Sequence, residues 1–185
     1  SSFFFFFLPT SSSSSSSSTI PDASLFGNGG GCEGHLCDAA IACGRAFSLA
    51  AQHVALGALR ANAVRRAKLS LSSDSRVLFS NGKAAFERAA RRARALHDEE
   101  RLAAATAGEG ERLYCMASAL ATRPEDFHRS AAQIEHLCRE SVARTTTALE
   151  MLGSRNLGEA DAAVTMLKDL GKVYGFRFAV FGNRA

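Results

Sequence analysis

The sequence predicts an all-α protein, an antiparallel bundle of about four helices behind a disordered, low-complexity N-terminus. Three observations carry that expectation. The chain is rich in Ala, Leu, Arg and Glu and holds no Trp, two Tyr and three Pro, a mixture that favours helix over sheet. Residues 122–153 combine a helix start, a long apolar stripe and a helix stop. Residues 157–174 then repeat apolar positions at alternating steps of three and four, the mark of one helical face.

Taken in order, residues 1–35 read as low-complexity sequence and linker. Five consecutive Phe are followed by eight consecutive Ser; the apolar run is too short to cross a bilayer, and poly-Ser cannot build a core. Gly27-Asn-Gly-Gly-Gly31 lacks the Gly-Lys-Ser/Thr ending of a phosphate loop and the preceding strand of a dinucleotide loop, so it reads as linker.

Residues 36–81 form a basic, Ala-rich helix followed by a loop. Ile41, Phe47, Val54 and Leu59 suit a buried face. Asp38, Arg45, Gln52 and His53 interrupt the apolar run, and charge at a bilayer centre costs about 3 kcal/mol. No integral membrane span is therefore expected. The Ser-rich stretch 69–82 reads as loop, with a strand-like piece at Val77–Phe79.

Residues 82–185 form the bundle domain. Lys83–Thr106 is expected as one helix, with Phe86, Ala90, Ala93, His97 and Leu102 on one face. The pairs Lys83–Glu87, Glu87–Arg91 and Arg94–Asp98 have the i,i+4 spacing that supports a solvated helix. Gly108-Glu-Gly110 is expected to break it, and Glu111–Ala121 to start a shorter helix. Thr122 with Glu125 three residues on, and Pro124 between them, then has the form of a capping box. Phe127, Ala131, Ile134, Cys138, Val142, Leu149 and Leu152 follow at near-helical spacing, with Thr145 in one gap. Gly153 ends the run, which is roughly 45 Å long at 1.5 Å per residue. Asn156 and Glu159 open a last helix with Val164, Leu167, Gly171 and Tyr174 on one face, and Phe176–Phe181 alternates like a short strand.

Net charge is +4, from 22 Lys+Arg against 18 Asp+Glu. The excess is uneven: residues 39–73 hold no acid but include Arg45, Arg60, Arg65, Arg66 and Lys68. Such composition resembles an organelle transit peptide, which would place the protein in the mitochondrial matrix. The competing reading is a surface helix with a basic end on a cytoplasmic protein. Five cysteines, odd in number and irregular in spacing, argue against a secreted disulfide framework and for an intracellular setting.

No catalytic constellation emerges. Cys32, His35, Cys37 and Cys43 lack the paired knuckles of a zinc site. Glu125-Asp-Phe-His128 occurs once, whereas a di-iron bundle needs it twice with two further glutamates. No nucleophile elbow is present. Catalytic residues, metal ligands and cofactors are all expected to be none.

Gly175-Phe176-Arg177-Phe178-Ala-Val-Phe181 resembles part of the aromatic strand of an RNA recognition motif, departing from it at Tyr174 and Arg177. That resemblance implies Phe side chains stacking on bases. Ser141–Leu170 resembles the heptad-bearing helix of a SNARE protein, which implies coiled-coil pairing in membrane trafficking. The residues themselves favour a non-catalytic helical interaction protein, an accessory subunit that meets protein partners through its amphipathic helices. RNA or ribonucleoprotein binding through Arg60, Arg65, Arg66 and Lys68, helped by Phe176, Arg177, Phe178 and Phe181, is the alternative.

Overall fold

The computed structural model describes residues 29–61, 73–121, 127–153 and 160–182, with side chains at 32–57, 74–121, 130–153 and 161–182. Five helices follow one another: α1 (Gly29–Ala61), α2 (Ser73–Ala95), α3 (Glu99–Ala121), α4 (Phe127–Gly153) and α5 (Ala160–Phe181). No strand occurs among the described residues. The fold is all-α, as expected, and the helix expected within residues 36–81 joins the bundle as α1.

Cross-helix contacts fix the directions. Arg92 on α2 reaches Glu33 on α1, and the Cys37 thiol donates to the Ala89 carbonyl at 3.4 Å. Further along, Ser48 lies beside Gly82, so α2 runs antiparallel to α1. Asp38–Arg101, Arg45–Glu111 and Gln52–Ser118 join α1 to α3 in parallel. Ser141 on α4 donates to the Gly110 carbonyl at 2.7 Å, and Ala117 shares a cluster with Ile134, so α4 returns along α3. Leu152 packs with Met166, and Glu135 pairs with Arg177, which turns α5 back along α4.

α3 contributes to each of the four core clusters. Its buried face is almost entirely small: Ala103, Ala105, Ala107, Gly108, Gly110, Cys115, Ala117 and Ala119. Small side chains let neighbouring helices approach from several sides, while larger residues on those neighbours fill the gaps. Phe86 and Phe79 from α2 and Ile134 from α4 do this filling, each at most 2% exposed.

The glycines expected to break a helix at 108–110 instead sit inside α3 where its neighbours cross. A Cβ at Gly108 would run into the Phe86 ring, and one at Gly44 would come within 2.7 Å of the same ring. At Gly110 a Cβ would lie 2.6 Å from Thr145 Oγ1 and 3.0 Å from the Ser141 carbonyl. Asn81-Gly82, expected as the end of a loop, lies within α2. The Ser-rich stretch read as loop begins α2 at Ser73, with Asp74 in its first turn, where negative charge complements the helix dipole. The strand-like piece Val77–Phe79 also lies within α2: Phe79 is buried and Val77 exposed, whereas a strand would set both on one face.

The expected helix 83–106 is divided at residues 96–98. His97 takes a left-handed φ of 52°. The His97 amide donates to the Arg94 carbonyl and the Asp98 amide to the Ala93 carbonyl at 2.9 Å, the two bonds of a Schellman ending. Asp98 then caps α3: its carboxylate accepts from the Arg101 amide at 3.0 Å. The carboxylate also pairs with the Arg101 guanidinium, so the expected Arg94–Asp98 partnership gives way.

Residues 29–35, expected as linker, form the first turns of α1, and the boundary expected between 81 and 82 falls within α2. The segment 1–28, the capping sequence around Thr122 and Glu125, and the whole of 62–72 lie outside the described residues.

Candidate interaction site

α4 and α5 carry apolar stripes of the same period but in different surroundings. On α4, Ile134, Cys138, Thr145 and Leu152 are buried, so its seam is satisfied within the chain. α5 has two faces. Met166 and Val173 are buried, and Phe176 sets its ring edge-on to Tyr114 with centroids 5.6 Å apart. The opposite face carries Val164, Leu167, Tyr174 and Phe178, which are 44%, 57%, 53% and 72% exposed. With Gly171 between them these positions advance by steps of three, four, three and four, the spacing of a seam that a second helix covers. Nothing stands within 4 Å of a Cβ built at Gly171 or Gly175, so a partner backbone could approach there.

The expected interaction residues separate once placed on this helix. Phe178 projects from the exposed face, whereas Phe176 and Phe181 pack inward against the cluster around Ile134. Arg177 is held by Glu135 at 3.2 Å. The reading of residues 176–181 as a strand, and with it the aromatic-strand geometry of an RNA recognition motif, is corrected: successive residues on α5 turn by about 100° and cannot present their rings on one side. The SNARE-like continuous stripe is likewise divided between α4 and α5, which share no single helix. Arg60 lies in the last turns of α1, while Arg65, Arg66 and Lys68 lie outside the described residues.

A second feature was invisible to sequence reasoning. Between α1, α3, α4 and α5 lies a cleft of about 470 Å³, mouth included, whose polar wall holds Gln52, Glu111, Tyr114, Asp169 and Lys172. These residues are scattered over the chain, and no linear pattern joins them. Burial pushes the Glu111 carboxyl up despite Arg45, whose Nε stands 3.5 Å away. Burial also raises the Tyr114 hydroxyl and takes the Cys115 thiol up to about 12. Asp169 accepts from Lys172 at 2.7 Å and holds that amine charged. The cleft therefore offers hydrogen-bond donors and a carboxyl that retains its proton more readily than usual. The Cys115 thiol there is the reverse of an activated nucleophile.

Glu111 makes a pH prediction. Its folded-state pKa is raised, so its contribution to stability is most favourable below its ordinary value of 4.5 and is lost as pH rises through the folded value. Glu111→Gln removes this titration, while the exposed Arg45 contact it also removes contributes little. The variant is expected to gain stability relative to wild type between about pH 4 and about pH 7. Urea unfolding at both values reads this, and an unchanged difference would contradict it.

Among the described residues no three His, Cys, Asp or Glu side chains converge on a point that could hold a metal ion. Cys32 and Cys43 are exposed while Cys37 is buried, so the N-terminal thiols do not face one another. The Cys32–Gly57 part of α1 is long and apolar enough to cross a membrane by length and composition. Its two interior charges are both engaged by α3: Asp38 by Arg101 at 2.9 Å, and Arg45 by Glu111. No protein-family model matches the chain, and no curated protein or solved structure is significantly similar to it.

Proposed function

We propose that this chain is a non-catalytic helical interaction protein, an accessory subunit of a larger assembly, and that the outer face of α5 receives an amphipathic helix of its partner. One observation carries the reading: four large apolar side chains at 3–4 spacing stand exposed on a helix whose other face is already committed to the bundle. Scattered exposed apolar residues are ordinary on a protein surface, but a contiguous stripe marks a surface that a partner covers. An adjoining pair of open glycines lets that partner come close.

The test is affinity capture of the full chain from gently lysed cells, with and without ribonuclease, beside the double variant Leu167→Glu, Phe178→Glu. Wild type is expected to sediment with its partner well above its own 19.6 kDa. The double variant should keep its thermal transition, because both side chains are exposed, and bind about 100-fold more weakly. Wild type migrating as a free monomer, or retention of the partner by the variant, would overturn the reading. Release on ribonuclease treatment would transfer it to nucleic-acid binding.

A further inference from the structure

α2 carries six cations, Arg76, Lys83, Arg88, Arg91, Arg92 and Arg94, against two carboxylates, Asp74 and Glu87. On the side of the bundle that turns away from α1, α2, α3 and α4 enclose a groove of about 790 Å³, mouth included. Lys83, Arg91 and Arg94 line one wall and Arg144 of α4 the other. The α2 residues fall at steps of eight and three, close to one helical face, and span roughly 16 Å at 1.5 Å per residue.

Two carboxylates also reach the groove, and each is already engaged. Glu87 pairs with Lys83 at 3.9 Å, and Glu109 with Arg112 at 2.6 Å. Among the described residues Arg91, Arg94 and Arg144 have no ion-pair partner. Three guanidinium groups facing one concavity outnumber its two carboxylates, each already paired with another cation, and leave its potential positive. Their planar forks match the oxygens of phosphate two at a time.

The floor limits the ligand. Phe86 is 2% exposed and confined between Gly44 and Gly108, so its ring is closed to a base. Ala90, Ala105 and Thr106 complete the floor, and the Thr106 hydroxyl already donates to the Leu102 carbonyl. Recognition there is by charge, with no aromatic platform of the kind that holds single-stranded nucleic acid.

We infer that the α2–α4 groove is a binding site for a small, multiply charged phosphate compound, gripped by Arg91, Arg94 and Arg144. The site is independent of the α5 face and lies on different helices.

The full chain is titrated calorimetrically with sodium tripolyphosphate at physiological salt. Arg144→Gln and the pair Arg91→Gln, Arg94→Gln are measured beside Arg88→Gln, an exposed α2 arginine outside the groove. Saturable one-site binding is expected, weakened about tenfold or more in the groove variants and unchanged in Arg88→Gln. All substituted side chains are exposed, so thermal transitions should stay in place and keep the comparison valid. Absence of saturable binding, or equal weakening by Arg88→Gln, would overturn the assignment. Parallel arms use phosphatidylserine vesicles and a single-stranded RNA homopolymer. Binding of either with no tripolyphosphate binding would also overturn it.

Discussion

Replacing Phe86 by alanine is expected to lower the unfolding free energy by about 3–5 kcal/mol, at the upper end for a buried aromatic. The ring is 2% exposed and sits where α1, α2 and α3 meet, between the backbones of Gly44 and Gly108. Helix backbones cannot collapse into the space it leaves without dragging whole elements with them. Gly108 tests the same junction from the other side. Helix propensity alone favours Gly108→Ala by about 1 kcal/mol, yet its Cβ would collide with a ring that has nowhere to go. Overpacking of this kind costs about 1–3 kcal/mol, so Gly108→Ala is expected to destabilise despite the better helix former. The clash should vanish when Phe86→Ala is combined with it. Chemical denaturation of both single variants and the double variant decides the matter, and a stabilising Gly108→Ala would show that the junction is looser than described.

Arg112→Ala is expected to be comparably harmful, at about 3–5 kcal/mol. Its side chain is 7% exposed within α3, forks onto both Glu109 oxygens at 2.7 and 2.6 Å, and lies against the Met116 sulfur. Truncation leaves the largely buried Glu109 carboxylate without its counter-charge and opens a gap beside Gly82. Arg112→Met combined with Glu109→Gln keeps most of the volume and removes both charges, and should recover most of the loss. Equal stability of Arg112→Ala and wild type in urea would mean that the pair contributes nothing and that water replaces it.

How far the sequence disclosed this architecture differs from helix to helix. α4 was readable because one long stripe carries its burial: Ile134, Cys138, Thr145 and Leu152 were marked by period alone and are buried. α3 was divided wrongly because Gly108 and Gly110 were judged by their intrinsic helix propensity. Close approach of Phe86 and Ser141 decides those positions, and no local rule contains it. The true break at His97 was hidden for the opposite reason. The left-handed residue there is not glycine, and the apolar pattern runs on through Leu102. The exposed face of α5 was partly visible, since Val164, Leu167 and Tyr174 keep their spacing in the sequence. That they lie outside the bundle depends on which α5 face meets α3 and α4. The polar cleft and the arginine groove join residues far apart in sequence, such as Gln52 with Glu111 and Arg91 with Arg144. They exist only after folding.

The succession of the helices has a kinetic consequence. Every seam in the bundle joins helices that are neighbours in the chain or one helix removed: α1 to α2 and α3, α3 to α4 and α5. Such seams let each helix dock soon after it is made, during synthesis at about 5–20 residues per second, without waiting for the far end of the chain. Each helix after α1 thus finds a partner already made, and α3 arrives to meet an existing α1–α2 hairpin. α5 is made after the other four helices, so the exposed face with Leu167 and Phe178 is displayed only once the bundle behind it has assembled.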